Sequence, residues 1–218
     1  MRQKPGQMSI FRLMSRLTAR SPRELGQYIL ILIRNALGLS NELLSPDREI
    51  LEKVILPEYA RRQDIKSVLF VGCDWYTRHY EKLFPGRDYL TLDFDAWKKQ
   101  FGAARHIVAG MEDIDSHIEV NSLDLIICNG VFGWGLDSKE ACERAFNGCF
   151  NTLRPNGELV IGWNDKPESR PVDLSSLESL ARFDPLVVNP FKVSQYLANP
   201  NNMHTFNFYI KPQALNRS

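Results

Sequence analysis

Glycine and acidic residues stand where the apolar stretches of this chain end. Gly72 follows the apolar run 68–71, and Asp93 closes the next apolar run. Glycine lets the backbone approach a ligand without an intervening side chain. A carboxylate about 20 residues beyond such a turn can accept hydrogen bonds from both hydroxyls of a ribose. The pair therefore predicts a nucleoside site, although Asp93 could instead cap the segment that follows it.

Residues near the ends of the other runs could contact the same ligand. Phe94 and Met111 could hold a planar base between them, and Asn129 could offer its amide to an amino or carboxylate group. The amides after Gly72 would open a helix, whose positive end favours anions. A simpler interpretation stays open for Phe94 and Met111, because such side chains more often fill a core than line a site.

The elements that must position these residues alternate from residue 67 onward. Residues 123–128 form a continuous apolar run, which is typical of a strand covered on both faces. Residues 204–210 alternate with a period of two, which suits an antiparallel last strand. The predicted strands are 68–71, 89–92, 105–108, 123–128, 158–163, 186–188 and 204–210, and the predicted helices are 77–84, 96–101, 137–153 and 174–183. This alternation predicts a mostly parallel α/β sheet that binds ligands at the carboxyl ends of its strands.

The first part of the chain has a helical pattern. We expect residues 1–63 to form a helical N-terminal extension and residues 64–218 to form the sheet domain. Residues 9–20 are basic and amphipathic, so they could pack on the domain, lie on an anionic membrane surface or act as a transit peptide. Capping signals start further helices at Ser21 and Ser45, and Pro57 should disturb the second of these.

Composition limits the classes of function. The chain has 218 residues and a net charge of +1, so no overall field favours nucleic acid, and we expect no nucleic-acid partner. No apolar run is long enough to cross a membrane. The four cysteines form no C-x-x-C pair, which predicts reduced thiols, no metal site and a cytoplasmic location.

Residues 67–163 resemble the Rossmann-like class I S-adenosylmethionine-dependent methyltransferases. VLFVGCD at 68–74 resembles the first motif of that family, and LTLDFD at 90–95 resembles the second, with Asp93 in the ribose-binding place. AFNGCFNTLRPNGELVIGW at 145–163 is similar to the family's helix, turn and fifth strand. The first motif is divergent, because Asp74 and Tyr76 stand where the family has glycine.

The resemblance implies a fold and a cofactor. The expected fold is a mostly parallel Rossmann-like methyltransferase sheet with helices on both faces and an antiparallel last strand. The implied cofactor is S-adenosylmethionine, and Glu112 or Asp113 would replace the acid that often contacts its adenine. The implied cofactor-binding residues are Gly72, Cys73, Asp74, Asp93, Phe94, Met111, Glu112 and Asn129.

The implied reaction is methyl transfer to a small-molecule, glycan or lipid-like acceptor. Such a transfer depends mainly on proximity and orientation, and the resemblance assigns no catalytic residue. Asp165 could take a proton or merely form a turn. The residues expected to face the acceptor are Tyr76, Trp134, Trp163, Asn164 and Asp165.

Two other functions remain open at this point. Bulky Trp75 and Tyr76 could fill the cofactor pocket, which would make the chain a catalytically silent binding or scaffold module. A nicotinamide-dependent oxidoreductase would carry the G-x-G-x-x-G fingerprint, which the turn at Gly72 lacks.

Overall fold

The computed structural model describes Gly26, Ile29, Leu30, Ile33 and residues 45–167 and 170–213. The chain divides into two compact units, Met1–Glu42 and Leu43–Ser218. The described residues of the first unit are helical, and the helix predicted at 9–20 lies outside the described residues. The boundary expected between 63 and 64 falls inside the second unit, because the helices from Pro46 onward belong to the same unit as the sheet.

The second unit begins with one continuous helical stretch. Helix α1 spans Pro46–Ile50, a π-helical turn spans Leu51–Ile55, and helix α2 spans Leu56–Arg61. Pro57 lacks the amide hydrogen that a regular α-helix would use, and the wider turn comes directly before it. The predicted disturbance at Pro57 is therefore confirmed as a π-turn.

An eight-stranded mixed sheet forms the centre of this unit. Its strands are β1 Ser67–Val71, β2 Asp88–Asp93, β3 Arg105–Val108, β4 Leu123–Asn129, β5 Leu153–Asn164, β6 Asp184–Pro185, β7 Gln195–Asn199 and β8 His204–Ile210. The order is β3-β2-β1-β4-β5-β8-β6, and β7 also pairs with β8. The first five strands are parallel and β8 is antiparallel to β5, so the predicted mostly parallel sheet with an antiparallel last strand is confirmed.

Apolar side chains cover both faces of the sheet. Leu69 and Val71 point to one core, where helix α3 Lys139–Thr152 packs, and Val68 and Phe70 point to the other, where the stretch from α1 to α2 packs. Ser138 caps α3 by accepting a hydrogen bond from the amide of Ala141. This alternation follows from the period of two in a strand and confirms that helices lie on both faces.

The helix predicted at 77–84 is wrong. The Asp74 amide donates to Thr77 Oγ1 at 3.0 Å, and Thr77 Oγ1 donates to the Asp74 carbonyl at 2.9 Å. These local bonds compete with a helical start. Only a 3-10 turn, Tyr80–Leu83, forms before Pro85.

The helix predicted at 174–183 is also wrong. Two 3-10 turns replace it, Leu174–Ser176 and Leu180–Arg182. The carboxylate of Glu143 accepts hydrogen bonds from the amides of Glu178 and Ser179, which therefore do not form a helical ladder.

The strand predicted at 186–188 was misplaced. The paired residues are Asp184–Pro185. The amide of Leu186 still donates to the Phe208 carbonyl at 2.9 Å, but Val188 pairs with Val193 instead of β8.

The described residues contain no helix long and apolar enough to cross a membrane. All four cysteines are free and buried. Within the same residues, no cluster of three or more potential metal ligands is present.

Candidate functional site

The carboxyl ends of β1 and β4 meet at Gly72. Gly72 has a φ of +93°, and a Cβ there would lie 2.8 Å from the carbonyl oxygen of Asn129. Only glycine fits this close approach at a positive φ. The turn after β1 is thus held open beside the last residue of β4.

Asp93 lies at the carboxyl end of β2 and is 4% exposed. Its Oδ2 accepts a hydrogen bond from the Cys73 amide at 2.8 Å, and its Oδ1 accepts one from the Asp95 amide at 2.9 Å. Burial raises the pKa of Asp93, while these amides and the charge of Lys98 act in the opposite direction. Each carboxylate oxygen has a second lone pair, so Asp93 can still accept from a ligand.

Lys98 balances two carboxylates at this edge. Its Nζ lies 3.6 Å from Asp74 Oδ2 and 3.8 Å from Asp93 Oδ2. Burial alone would lower the pKa of Lys98, but the charges of Asp93 and Asp74 raise it. The ammonium therefore keeps its charge and offsets the acid that replaces a motif glycine.

A small cavity of about 60 Å³ lies between the ends of β1, β2 and β4. Six of the eight residues predicted to bind the cofactor line it: Gly72, Cys73, Asp93, Phe94, Met111 and Asn129. Met111 and Phe94 both line this cavity, as predicted, but Met111 is buried whereas Phe94 is largely exposed. The structure thus brings together the residues that the sequence assigned to a nucleoside.

A larger cleft of about 850 Å³ adjoins this cavity. The volume of this cleft lies within the range of about 300–1,000 Å³ that is typical of small-molecule sites. The two spaces share five wall residues: Tyr76, Phe94, Lys98, Gly130 and Trp134. The cleft is further lined by Ser45, Asp47, Arg48, Asp74, Gly133, Gly135, Asp137, Trp163, Asn164, Asn202 and His204.

Four polar side chains, Asn164, His204, Asn129 and Arg48, form a hydrogen-bonded chain along the wall of the cleft. His204 Nδ1 donates to Asn164 Oδ1 at 2.8 Å, so His204 Nε2 is an acceptor. The orientation of the Asn129 amide that satisfies every partner donates to His204 Nε2 at 3.2 Å. In that orientation Asn129 Oδ1 accepts from Arg48 Nη1 at 3.2 Å and Nη2 at 3.1 Å.

His204 is held neutral in this chain. Burial lowers its pKa to about 4, and the charge of Arg48 acts in the same direction while Asp47 opposes it. Both ring nitrogens already have partners, so His204 positions Asn129 and Asn164 rather than offering a free base.

Two predicted site residues lie outside both spaces. The carboxylate of Glu112 lies against Gly110, which keeps it out of the cavity wall. Asp165 pairs with Arg170 at 3.2 Å, which agrees with a structural role better than with proton transfer. The predicted acceptor-facing residues Tyr76, Trp134, Trp163 and Asn164 do line the cleft, as does Asp74.

Sequence reasoning missed Arg48, Asp47 and Lys98. Lys98 stands five positions after Asp93 on the 3-10 helix Ala96–Phe101, and that proximity was a usable signal. Asp47 and Arg48 stand on α1, far from the motifs in sequence, and only tertiary packing brings them to the cleft.

Comparison with known proteins identifies the fold. No family model and no curated protein sequence matches the chain. The N-methyltransferase NodS from Bradyrhizobium japonicum WM9 has a TM-score of 0.57 and 14% identity, over 77% of this chain and 97% of that one. It was also solved in complex with S-adenosyl-L-homocysteine.

A TehB-like SAM-dependent methyltransferase from Corynebacterium glutamicum ATCC 13032 Kitasato is similar to the same extent. Its TM-score is 0.57 at 19% identity, over 88% of this chain and all of that one. The chain therefore has the Rossmann-like fold of class I S-adenosylmethionine-dependent methyltransferases.

Proposed function

We propose that this chain is an S-adenosylmethionine-dependent methyltransferase that acts on a small-molecule acceptor. The observation that carries the proposal is the position of Asp93. Its carboxylate is held by the Cys73 amide at 2.8 Å in the wall of a cavity that opens into a cleft of about 850 Å³. A fixed ribose acceptor beside a ligand-sized cleft is the arrangement that a nucleoside cofactor needs.

The residues present fit that cofactor. At Gly72 a Cβ would occupy the space between β1 and the Asn129 carbonyl, so the backbone itself forms this wall of the cavity. Asp93 would accept from the ribose hydroxyls, and Phe94 and Met111 would contact the base. The likeness to NodS, which was solved with S-adenosyl-L-homocysteine, agrees with this assignment.

The residues of the cleft would act by positioning. When bound, the cofactor would supply an electrophilic methyl group to a nucleophile of the acceptor. Trp134 is 64% exposed on the loop after β4 and offers a stacking surface to the acceptor. His204 and Asp165 are engaged with Asn164 and Arg170, so orientation rather than a side-chain base would be the main contribution.

The lining of the cleft supports a small-molecule acceptor. Aromatic walls at Trp134, Trp163 and Tyr76 with one buried cation, Arg48, suit a compact molecule with an apolar or planar part. The proposed acceptors include glycan and lipid-like molecules. We also propose a cytoplasmic location. The net charge of +1 supports a partner other than nucleic acid. Contact of residues 9–20 with a membrane surface is proposed from their sequence alone.

Two observations favour a second function, a catalytically silent binding module. The turn after β1 leads into no α-helix, and the cavity at Asp93 is only about 60 Å³. A chain with this turn could keep the fold and bind a partner without binding the cofactor.

Isothermal titration calorimetry separates the two functions. We expect S-adenosylhomocysteine and S-adenosylmethionine to bind with micromolar Kd values, and NADH, the matched nucleotide control, not to bind. Absence of heat with either adenosyl ligand at millimolar concentration would refute the methyltransferase and leave the silent module. Retention of either ligand through purification, detected by mass spectrometry, would support the enzyme independently.

A further inference from the structure

Arg48 is a buried cation whose partners are all neutral. Arg48 lies on α1 and is 7% exposed. Nη1 lies 3.4 Å from Tyr80 Oη, Nη2 lies 3.3 Å from Tyr76 Oη, and both nitrogens approach Asn129 Oδ1. In the described part of the chain, no carboxylate forms an ion pair with it, and neighbouring Asp47 is bonded to Asn199 instead.

The positive charge of Arg48 is therefore not balanced by an ion pair. A buried guanidinium keeps its proton, and burying it without a direct ion pair is costly. Burial alone would lower the pKa of Arg48, and the charge of Asp47 raises it, but Asp47 forms no ion pair with Arg48. The bonds to the two phenols exceed the usual 2.7–3.2 Å, so they are weak. A carboxylate would replace them with shorter, charge-assisted bonds, which arginine can form in pairs.

Arg48 also lies where a ligand can reach it. It lines the large cleft, and its Nη2 lies 3.9 Å from the position of a Cβ on Gly130. β2 and β4 flank β1, and neighbouring strands are about 4.8 Å apart, so the ends of β2 and β4 are about 10 Å apart. A nucleoside held at Asp93 could therefore extend a side arm to Arg48.

The turn after β1 offers no alternative anion site. The α-helix predicted there is absent, so no helix N-terminus points at the ligand. Asp74 adds a negative charge, and Lys98 is already shared between Asp74 and Asp93. Among the charged groups that line the cleft, Arg48 is thus the cation with no ion-pair partner in the described residues.

We propose that Arg48, with Asn129 and Tyr76, forms the site for a carboxylate bound in the cleft. The inference rests on the proposed function, because that carboxylate belongs either to the methionine part of the cofactor or to the acceptor. Arg48 supplies the countercharge, Asn129 fixes the guanidinium from behind, and the Tyr76 ring covers its face at 4.4 Å.

The test compares ligands with and without a carboxylate on the full chain. Four probes are used. Three are adenosyl ligands: S-adenosylhomocysteine, decarboxylated S-adenosylhomocysteine and 5′-methylthioadenosine. The fourth is benzoate, which is added to protein saturated with S-adenosylhomocysteine. The variants are Arg48→Gln, which removes the charge, and Arg48→Lys, which keeps it. Circular dichroism and thermal unfolding check that each variant is folded.

Two results support the proposal and identify the source. If the cofactor supplies the carboxylate, Arg48→Gln weakens S-adenosylhomocysteine by 10- to 100-fold, Arg48→Lys by less, and 5′-methylthioadenosine changes less than threefold. If the acceptor supplies it, the affinities of all three adenosyl ligands are unchanged and the millimolar binding of benzoate disappears in Arg48→Gln.

The proposal is overturned if Arg48→Gln binds all four probes as the wild type does. If Arg48→Gln fails to fold, two measurements on the wild type test the proposal. One compares the affinities of S-adenosylhomocysteine and its decarboxylated form, and the other is the benzoate titration. Equal affinity of the two adenosyl ligands together with no benzoate binding then overturns it. Failure of every adenosyl ligand, 5′-methylthioadenosine included, would instead refute the methyltransferase itself.

Discussion

The guanidinium carbon of Arg48 lies 4.4 Å from the centre of the Tyr76 ring, and its Nη2 lies 3.3 Å from the Tyr76 hydroxyl. This contact holds Tyr76 in the wall that the small cavity and the large cleft share. Trp75 packs edge to face on the same ring at 5.1 Å and lines neither space. Of the two bulky residues of the divergent turn, Tyr76 therefore covers the site, and Trp75 packs against Tyr76 from outside it.

Truncation of Tyr76 tests this arrangement. We expect Tyr76→Ala to weaken S-adenosylhomocysteine by about 5- to 20-fold, because Arg48 loses its cation–π contact and a wall of the cleft. Tyr76→Phe keeps the ring and should stay within about threefold, since a weak neutral hydrogen bond contributes little. Calorimetry measures both. Tighter binding by Tyr76→Ala would mean that the ring obstructs the cavity, as the silent module requires.

Substitution of Asp93 should remove the nucleoside site. Asp93→Asn turns one acceptor oxygen into a donor that faces the amide of Cys73 or Asp95, and it removes a charge that pairs with Lys98. We expect a loss of at least 10-fold in affinity for 5′-methylthioadenosine, measured by calorimetry. Asp88→Asn, at the exposed start of the same strand, is the matched control. Equal affinities in both variants and wild type would exclude Asp93 as the ribose acceptor.

The neutral state of His204 predicts a pH dependence of stability. The unfolded chain binds a proton at this residue below about pH 6.5, whereas the folded protein binds it only below about pH 4. The contribution of neutral His204 to the free energy of unfolding is therefore fully present above pH 6.5 and is lost as pH falls toward 4. It amounts to about 3 kcal/mol for the shift that burial causes.

Urea unfolding at pH 7 and pH 4.5 measures this effect. We expect the difference in free energy of unfolding between the two pH values to shrink by about 2 to 3 kcal/mol in His204→Gln. His117→Gln, at an exposed histidine, should keep the wild-type difference. If His204→Gln keeps it as well, His204 is protonated in the folded protein or lies in a wetter environment.

Two buried tyrosines should respond oppositely to loss of the hydroxyl. Tyr80 Oη donates to Glu52 at 2.6 Å, whereas Tyr59 Oη makes no hydrogen bond of ordinary geometry within the described residues, although Glu158 lies near it. We expect Tyr80→Phe to cost about 1 to 3 kcal/mol and Tyr59→Phe to be neutral or stabilising in urea unfolding. Similar losses in both variants would show that Tyr59 has a hydrogen-bond partner in solution, with Glu158 in reach.

Local patterns predicted the sheet well. The continuous apolar run at 123–128 and the alternating run at 204–210 depend on which faces of a strand are covered, and both lie in strands. Gly72 and Asp93 could be placed because the turn and the carboxylate follow directly from their strands. Six of the eight residues predicted to bind the cofactor line one cavity for this reason.

The rest of the site depends on contacts between distant segments. Arg48 meets Asn129 only because α1 packs against the sheet, and His204 meets Asn164 only through the register of β5 and β8. No local pattern encodes either contact. The helix expected at 77–84 failed because Asp74 and Thr77 bond each other, a competition that residue periodicity does not reveal.

The π-helical turn Leu51–Ile55 makes the cleft sensitive to chain length. A π-turn contains one residue more than an α-helical turn, and one residue of a helix corresponds to about 100° of rotation. If α2 stays in place, deleting a single residue there would swing Asp47 and Arg48 around the helix axis and away from the cleft, with every strand unchanged. If Arg48 has the role proposed above, relatives that differ here by an insertion or deletion would differ in the ligand charge they recognise, even where Gly72 and Asp93 are identical.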